Sequence, residues 1–250
     1  MAKKKPQIVF DQWDNYVSQS DDKPLFISFD VQAAQEDLTD TLPHCARVLI
    51  PIQRPNDNGG PVPPESERLY EMEDELCATL TQHGVACRLV GRLTCAGMRE
   101  LVFQLDDWEG FRPPVGLWIM NHEDYQIDVS EHEGWEFFDD CIRPTEDIWM
   151  FLADQHVVQA LIKAGSDPDK EHALEFVFNG KEHGLRQAAK ALQERGYKPQ
   201  AKPDFASGQI VMVKRMPLDE EAIFAESVAH RELAEAQGIE YDGWGAEVVR

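Results

Sequence analysis

His172-Ala173-Leu174-Glu175-Phe176-Val177-Phe178-Asn179, followed by Leu185, Ala188, Ala189 and Leu192 at helical spacing, decides the fold. In Ala173–Phe178, Leu174, Phe176 and Phe178 alternate with Glu175, Val177 and Asn179, the period-two pattern of a strand with one buried face. The next segment has its apolar residues on one helical stripe from about Glu182 to Arg195, and Gly196 stops it. Working outward, a strand is expected near Tyr197–Ala201, a turn over Asp204–Gly208 and a second strand over Gln209–Arg215. A helix from about Asp219 to Gln237 is expected to bury Ala222, Ala225, Ala229, Leu233 and Ala236. A last strand, Ile239–Val248, is interrupted by glycines. The order is β-α-β-β-α-β.

Upstream, the same order is legible once more. Arg47–Gln53 reads as a strand with Val48, Ile50 and Ile52 on one face. A helix from Glu65 to Gln82 carries Leu69, Met72, Leu76 and Leu80 on one stripe. Val85–Leu93 and Met98–Leu105 are strands joined through Thr94-Cys95-Ala96-Gly97. Pro113-Pro114 is expected to open a short helix reaching Met120, and Tyr125–Val129 to close the unit as a strand. Ile8–Phe10 and Leu25–Phe29 add two strands before this unit. A helix over about Thr145–Ala164 and the linker Gly165-Ser166-Asp167-Pro168-Asp169 follow it. The expected class is α+β, with two tandem ferredoxin-like (βαββαβ) domains at residues 1–148 and 149–250. Sheets of this kind carry both helices on one face and leave the other open to partners.

The chain has 250 residues, a net charge of −22 and a pI near 4.6. Such a field repels nucleic-acid phosphates and attracts basic protein segments. Residues 106–147 hold 13 acids and only Arg112 and Arg143 as bases. Five cysteines (Cys45, Cys77, Cys87, Cys95, Cys141) stand at irregular spacings without a C-x-x-C pair, so no zinc ribbon is encoded. No run approaches the roughly 18 apolar residues of a membrane span, and a cytoplasmic location is expected.

Motifs for chemistry are sparse. His122-Glu123-Asp124 and Glu131-His132-Glu133 offer imidazole and carboxylate ligands, the basis of an alternative reading as a metal-dependent enzyme. They flank the expected Tyr125–Val129 strand, whose ends lie roughly 20 Å apart, and solvated loop charges are the simpler reading. Asn56-Asp57-Asn58-Gly59-Gly60 lacks the closing glutamate of a calcium loop. Cys95 has no base fixed beside it, His83 being the nearest candidate. Gly243-Trp244-Gly245 lacks the strand-to-helix context of a phosphate cradle. No cofactor is implied, and the expectation is a binding protein and not an enzyme. A structural assembly subunit is a further alternative.

The second half is similar to the regulator of ribonuclease activity B family. The likeness is carried by Glu171-His172-Ala173-Leu174-Glu175-Phe176, by Leu192 with Arg195-Gly196-Tyr197, by Leu233-Ala234 and by Tyr241-Asp242-Gly243-Trp244. The first half resembles a bacterial domain family of unknown function through Val90-Gly91-Arg92-Leu93-Thr94, Gly97–Leu101, Trp135–Phe138 and Pro144-Thr145. The resemblance implies a ferredoxin-like inhibitor that binds the arginine-rich, non-catalytic part of ribonuclease E. Candidate partner-binding residues are then Tyr241, Asp242 and Trp244, which either pack in the core beside a glycine bulge or form an aromatic edge. Ile223 and Phe224, off the alanine stripe of their helix, need a cover from a domain or a partner. Glu131, Glu133, Glu136, Asp139 and Asp140 would supply long-range attraction for a basic segment.

Overall fold

Two antiparallel sheets organise the computed structural model, which describes residues 12–36 and 38–249. These residues fall into two units, 12–144 and 145–249. The expected strand Ile8–Phe10 lies outside the described residues. Together the units make a mixed α+β protein with no closed barrel.

The first unit contains β1 (Trp13–Ser20), β2 (Lys23–Asp30), α1 (Val31–Gln35), β3 (His44–Pro51), α2 (Glu65–Gln82), β4 (Cys87–Cys95), β5 (Met98–Leu105), α3 (Trp108–Met120), β6 (Asp128–Glu133) and α4 (Glu136–Cys141). Its six strands are ordered β1-β2-β4-β5-β3-β6. On one face Val48, Ile50, Leu101, Phe103 and Leu105 pack against Leu69, Met72, Leu76 and Leu80 of α2 and Phe111, Val115 and Trp118 of α3. The far face is not open as expected. Ile142 lies on Gly91, where a Cβ would come within 2.6 Å of its Cδ1. Phe137 lies 3.9 Å from the Arg47 guanidinium, and Tyr16 donates to the Ile142 carbonyl at 2.9 Å.

Two elements differ from the sequence reading. α3 begins five residues before Pro113 because the Asp107 carboxylate accepts from Gly110 N–H and caps it. The strand expected at Tyr125–Val129 is β6, displaced toward Glu133. Tyr125 and Ile127 are apolar because they pack on the core, whereas β6 is a polar edge strand without apolar alternation.

The second unit contains α5 (Glu146–Lys163), β7 (His172–Asn179), α6 (Glu182–Glu194), β8 (Lys198–Pro199), β9 (Gln209–Met216), α7 (Glu220–Gln237) and β10 (Glu240–Gly245). The sheet order is β10-β7-β9-β8. Leu174, Phe176, Phe178, Ile210 and Met212 form its buried side with Leu185, Ala189 and Leu192 of α6. Ala173, Glu175, Val177, Val211 and Val213 on the other side are half-buried.

α7 is turned relative to expectation. Its inward residues are Ile223, Ser227, His230 and Ala234, while Ala222, Ala225 and Ala236 are exposed. The alanine stripe is the most apolar stripe in sequence, yet the true inward face carries a serine and a histidine that meet polar and aromatic groups inside the unit.

Candidate functional site

β10 carries the Tyr-Asp-Gly-Trp segment. Tyr241 pairs with Phe178 and Trp244 with Phe176, so β10 spends one extra residue between them. That residue makes a bulge, and Gly243 supplies the positive φ of 77° that it needs. The bulge brings both Tyr241 and Trp244 to the helix side of the sheet. Trp244 is 8% exposed, and its Nε1 donates to Asp154 of α5 at 2.7 Å. The Tyr241 hydroxyl lies 3.2 Å from Ser227 Oγ of α7.

Around this pair lies a buried set of titratable groups. Burial pushes the Asp154 carboxyl up to about 6, against the hydrogen bonds from Ser227 and Trp244. His230 sits among the rings of Phe176, Phe178, Tyr197 and Tyr241, with centroids 4.5–5.4 Å away. Neither of its ring nitrogens has a hydrogen-bond partner, and burial lowers its pKa to about 3, so it is neutral. One turn earlier, Glu226 is bonded by Lys214, by the Tyr197 hydroxyl and by Arg195, the last at 2.9 Å. Burial works against its charge, but these donors outweigh it and hold the pKa below the usual carboxylate range. Burial and the adjacent Glu226 keep the Tyr197 phenol protonated. Asp154, Ser227 and His230 face the interior while Lys214 and Arg195 reach Glu226 from the surface, so the network's chemistry is that of fixing α5, α7 and β10 to one another.

The other candidates are placed as follows. Ile223 is in the core, and Phe224 packs edge-on against Phe151 of α5 at 5.3 Å. Asp242 is exposed on the bulge. Glu131, Glu133, Glu136, Asp139 and Asp140 are exposed on β6 and α4. Glu131 takes both forks of Arg112 at 2.6 and 2.7 Å, which lowers its pKa. Glu133 lies 2.6 Å from His44 Nδ1, and Asp139 is 2.8 Å from Arg143 Nε. Glu136 and Asp140 form no ion pair among the described residues.

The two histidines of the metal reading are held in separate surroundings. His122 is buried at the end of α3, with Nδ1 2.7 Å from the Trp118 carbonyl and Nε2 3.0 Å from Glu75. His132 lies on β6 itself, 2.5 Å from Ser130 Oγ and stacked on Phe137. Among the described residues, no group of three or more His, Cys, Asp or Glu is arranged to hold a metal ion. All five cysteines are free thiols, and no described helix is long and apolar enough to cross a membrane.

The profile of a family of unknown function (DUF695) matches residues 11–142, and that of regulator of ribonuclease activity B matches residues 152–246. The regulator of ribonuclease activity B of Pseudoalteromonas atlantica is 32% identical over 107 residues, covering 40% of this chain and 91% of its own. The chain belongs to the regulator of ribonuclease activity B family, joined to a DUF695 unit. A second regulator of this family, from Psychromonas ingrahamii, is 31% identical over 98 residues, covering 36% of this chain and 81% of its own. A crystal structure of an unknown protein from Galdieria sulphuraria aligns at 12% identity, over 82% of this chain and 99% of its own, with a TM-score of 0.22. That score is too low to bear on the fold. The regulator match spans the Asp154–Trp244 network from end to end.

The sequence singles out Tyr241 and Trp244 as partner-binding candidates, which lie in this network, and gives no sign of Glu226, Ser227 and His230. A signal existed for Asp154, which is a lone acid after the apolar run Ile148–Ala153. Ser227 and His230 were concealed by the alanines beside them.

Proposed function

We propose that the chain is a non-catalytic, cytoplasmic regulator of RNA decay that binds the basic, non-catalytic region of ribonuclease E. The observation that carries this reading is the regulator of ribonuclease activity B match, which takes in 91% of one relative's length. We further read both units as ferredoxin-like. The strand orders β4-β5-β3-β6 and β10-β7-β9-β8, with α2 and α3 in the first unit and α6 and α7 in the second against one sheet face, support this.

The physics of such a partnership follows from charge. A net of −22 draws an arginine-rich segment from a distance and raises the rate of encounter. Such a segment is disordered alone, so it meets the surface through several weak contacts. Glu136 and Asp140 are the exposed acids we assign to it first, with Asp242, Glu131, Glu133 and Asp139 exchanging their present contacts for arginines of the segment. Phe224 at its half-buried edge is the proposed apolar contact, whereas Tyr241, Trp244 and Ile223 act from inside by holding α7 and β10 in place.

The test is direct binding of the purified chain to the arginine-rich segment of ribonuclease E, followed by fluorescence anisotropy, together with RNA cleavage by the complete enzyme. Binding at low salt with altered cleavage is expected. Absence of binding at low ionic strength would overturn the assignment of this partner.

A further inference from the structure

The outer edge of β1 differs from the other sheet edges. The first sheet ends on β1 and β6, the second on β10 and β8. β6 carries Asp128, Glu131 and Glu133 within six residues. β10 holds Glu240 and Asp242 and is bent by its bulge. β8 has two residues, one of them a proline. Charge, a bulge, shortness and proline all keep a strand edge from pairing with another chain. Past Asp14, β1 has none of these. It runs for eight residues and pairs with β2 without a register shift. Residues 15–20 carry no charge, in a chain with 46 acids. Asn15 N–H is turned onto the Asp14 carboxylate at 2.8 Å. Val17, Ser18, Gln19 and Ser20 are all exposed, and no described strand lies beside them on the outer side.

An apolar strip adjoins this edge. Strand register aligns Val17, Phe26, Thr94, Arg99 and Ile50 in one row across β1, β2, β4, β5 and β3. Ile50 lies in the core with α2 and α3, so the row points to the helix side. The cover stops at Tyr70 of α2, whose ring lies 5.2 Å from the Arg99 guanidinium. Tyr70 is 48% exposed, Phe26 40% and Val17 62%. Three of the seven exposed large apolar side chains among the described residues therefore share one strip that ends at β1. An exposed apolar strip running into an open strand edge marks a contact surface.

We propose that a second copy of this chain adds its own β1 to this edge, antiparallel, with Val17 opposite Val17 on a two-fold axis normal to the sheet. The register matches itself. Ser18 then faces Tyr16, Gln19 faces Asn15 and Ser20 faces Asp14 of the second copy, so no acid opposes an acid. Residues opposite one another in such a pair keep their side chains on one side. The two apolar strips therefore join across the axis, in the order Phe26, Val17, Val17, Phe26. This self-match selects a second copy over a basic segment, which would meet no acid on residues 15–20. Each copy offers one such edge, and the acidic β6 repels its like, so the assembly closes as a dimer. The surface lies in the DUF695 unit and does not depend on the ribonuclease reading.

Sedimentation velocity of the full chain tests it, from about 1 to about 100 μM, because a contact of one strand edge is at the small, weak end of specific interfaces. A dimer that dissociates on dilution is expected. It should tighten between about 0.05 and about 0.3 M salt, because screening relieves the repulsion between two chains of charge −22. Val17→Lys and Val17→Glu each set like charges opposite one another, and association should weaken at least about tenfold. Val17 is exposed, so both variants should unfold within about 2 °C of the parent. An equimolar mixture of the two sets Lys opposite Glu and should restore the dimer. Met120→Lys places the same charge at the end of α3, on a side chain 67% exposed, and should dimerise as the parent does. The proposal is overturned if the parent is a monomer throughout this range or if salt weakens its dimer. It is equally overturned if either Val17 variant dimerises as fully as the parent, if their mixture stays monomeric, or if Met120→Lys is as disruptive as Val17→Lys.

Discussion

Glu226 in the second unit and Arg99 in the first are both charged groups drawn into an interior, and the protein treats them in opposite ways. Glu226 arrives with Lys214, Arg195 and Tyr197 as donors. Arg99 arrives with hydrogen bonds to Thr94 and Tyr70 and with the Glu73 charge near it, but burial outweighs them and its Nη1 stays without a partner. Between these extremes stand His230, which answers burial by giving up its charge, and Asp154, which burial shifts toward its neutral form only below about pH 6. A buried group can pair, neutralise or remain charged, and the last is open only to arginine because its proton does not leave. The difference teaches how far neighbours must satisfy a charge drawn inside. The Glu226 carboxylate has a donor on each oxygen, whereas Arg99 keeps one donor, Nη1, unmet.

The largest expected effect attacks the complete side of this comparison. Glu226→Ala leaves Lys214, Arg195 and the Tyr197 hydroxyl without their common acceptor. Breaking a fully buried pair costs about 3–5 kcal/mol. Arg195 is well exposed here, so about 2–4 kcal/mol is expected. Urea unfolding of the second-unit transition measures it. A loss below about 0.5 kcal/mol, the level of a surface pair, would mean that Glu226 is no more integral than the acids outside.

The next effect sharpens the neutralised case, and its sign depends on which group remains. His230 has its usual value near 6.5 when unfolded and about 3 when folded. Between those values the unfolded chain holds the extra proton, so His230 makes stability fall as pH drops below about 6.5. Asp154 rises from 3.8 to about 6 on folding. Between those values the folded chain holds the extra proton, so Asp154 makes stability rise as pH drops below about 6. The two contributions oppose each other between pH 3.8 and 6, each with a slope of up to about 1.4 kcal/mol per pH unit. His230→Leu should therefore show stability rising on acidification through pH 6. Asp154→Asn should show it falling more steeply than in the parent. Stability curves measured from pH 7 to 4.5 decide the matter, and parallel curves for all three proteins would show that neither group titrates as its burial dictates.

How much of this was legible in sequence depends on period and on polarity. α2 was read to the residue because its four core positions keep one helical stripe and a glycine follows it. β7 was read because it alternates without interruption. β6 was displaced because an edge strand needs no apolar alternation, and the apolar Tyr125 and Ile127 before it pack into the core from a turn. The inward face of α7 was misjudged because hydrophobicity ranks alanine above serine and histidine. Tertiary partners, Tyr241 for Ser227 and four aromatic rings for His230, reversed that ranking. The setting of Arg99 was illegible for a related reason. An arginine in a strand is ordinary in sequence, and only the tertiary structure reveals that it is buried on the helix side of the sheet beside Thr94 and Tyr70.

The smallest effect on stability concerns the exposed acids, and it separates surface charge from both buried cases. Glu131, Glu136 and Asp140 lie outside the core, and only Glu131 has a cationic partner among the described residues. Replacing all three with lysine changes the net charge by six while removing no buried contact. Solvent screens such exposed interactions, so the unfolding midpoint should stay within about 2 °C of the parent. Association with the arginine-rich segment should nonetheless slow several-fold at low salt, because the long-range field acts on encounter more than on the bound state. The gap between parent and variant should close near about 0.5 M salt, where the Debye length is only a few ångströms. Stopped-flow association rates at the two salt levels test this. Equal rates for the two proteins at low salt would make these acids solubilising groups only, and would leave Asp242 and the acids of the second unit to carry the attraction.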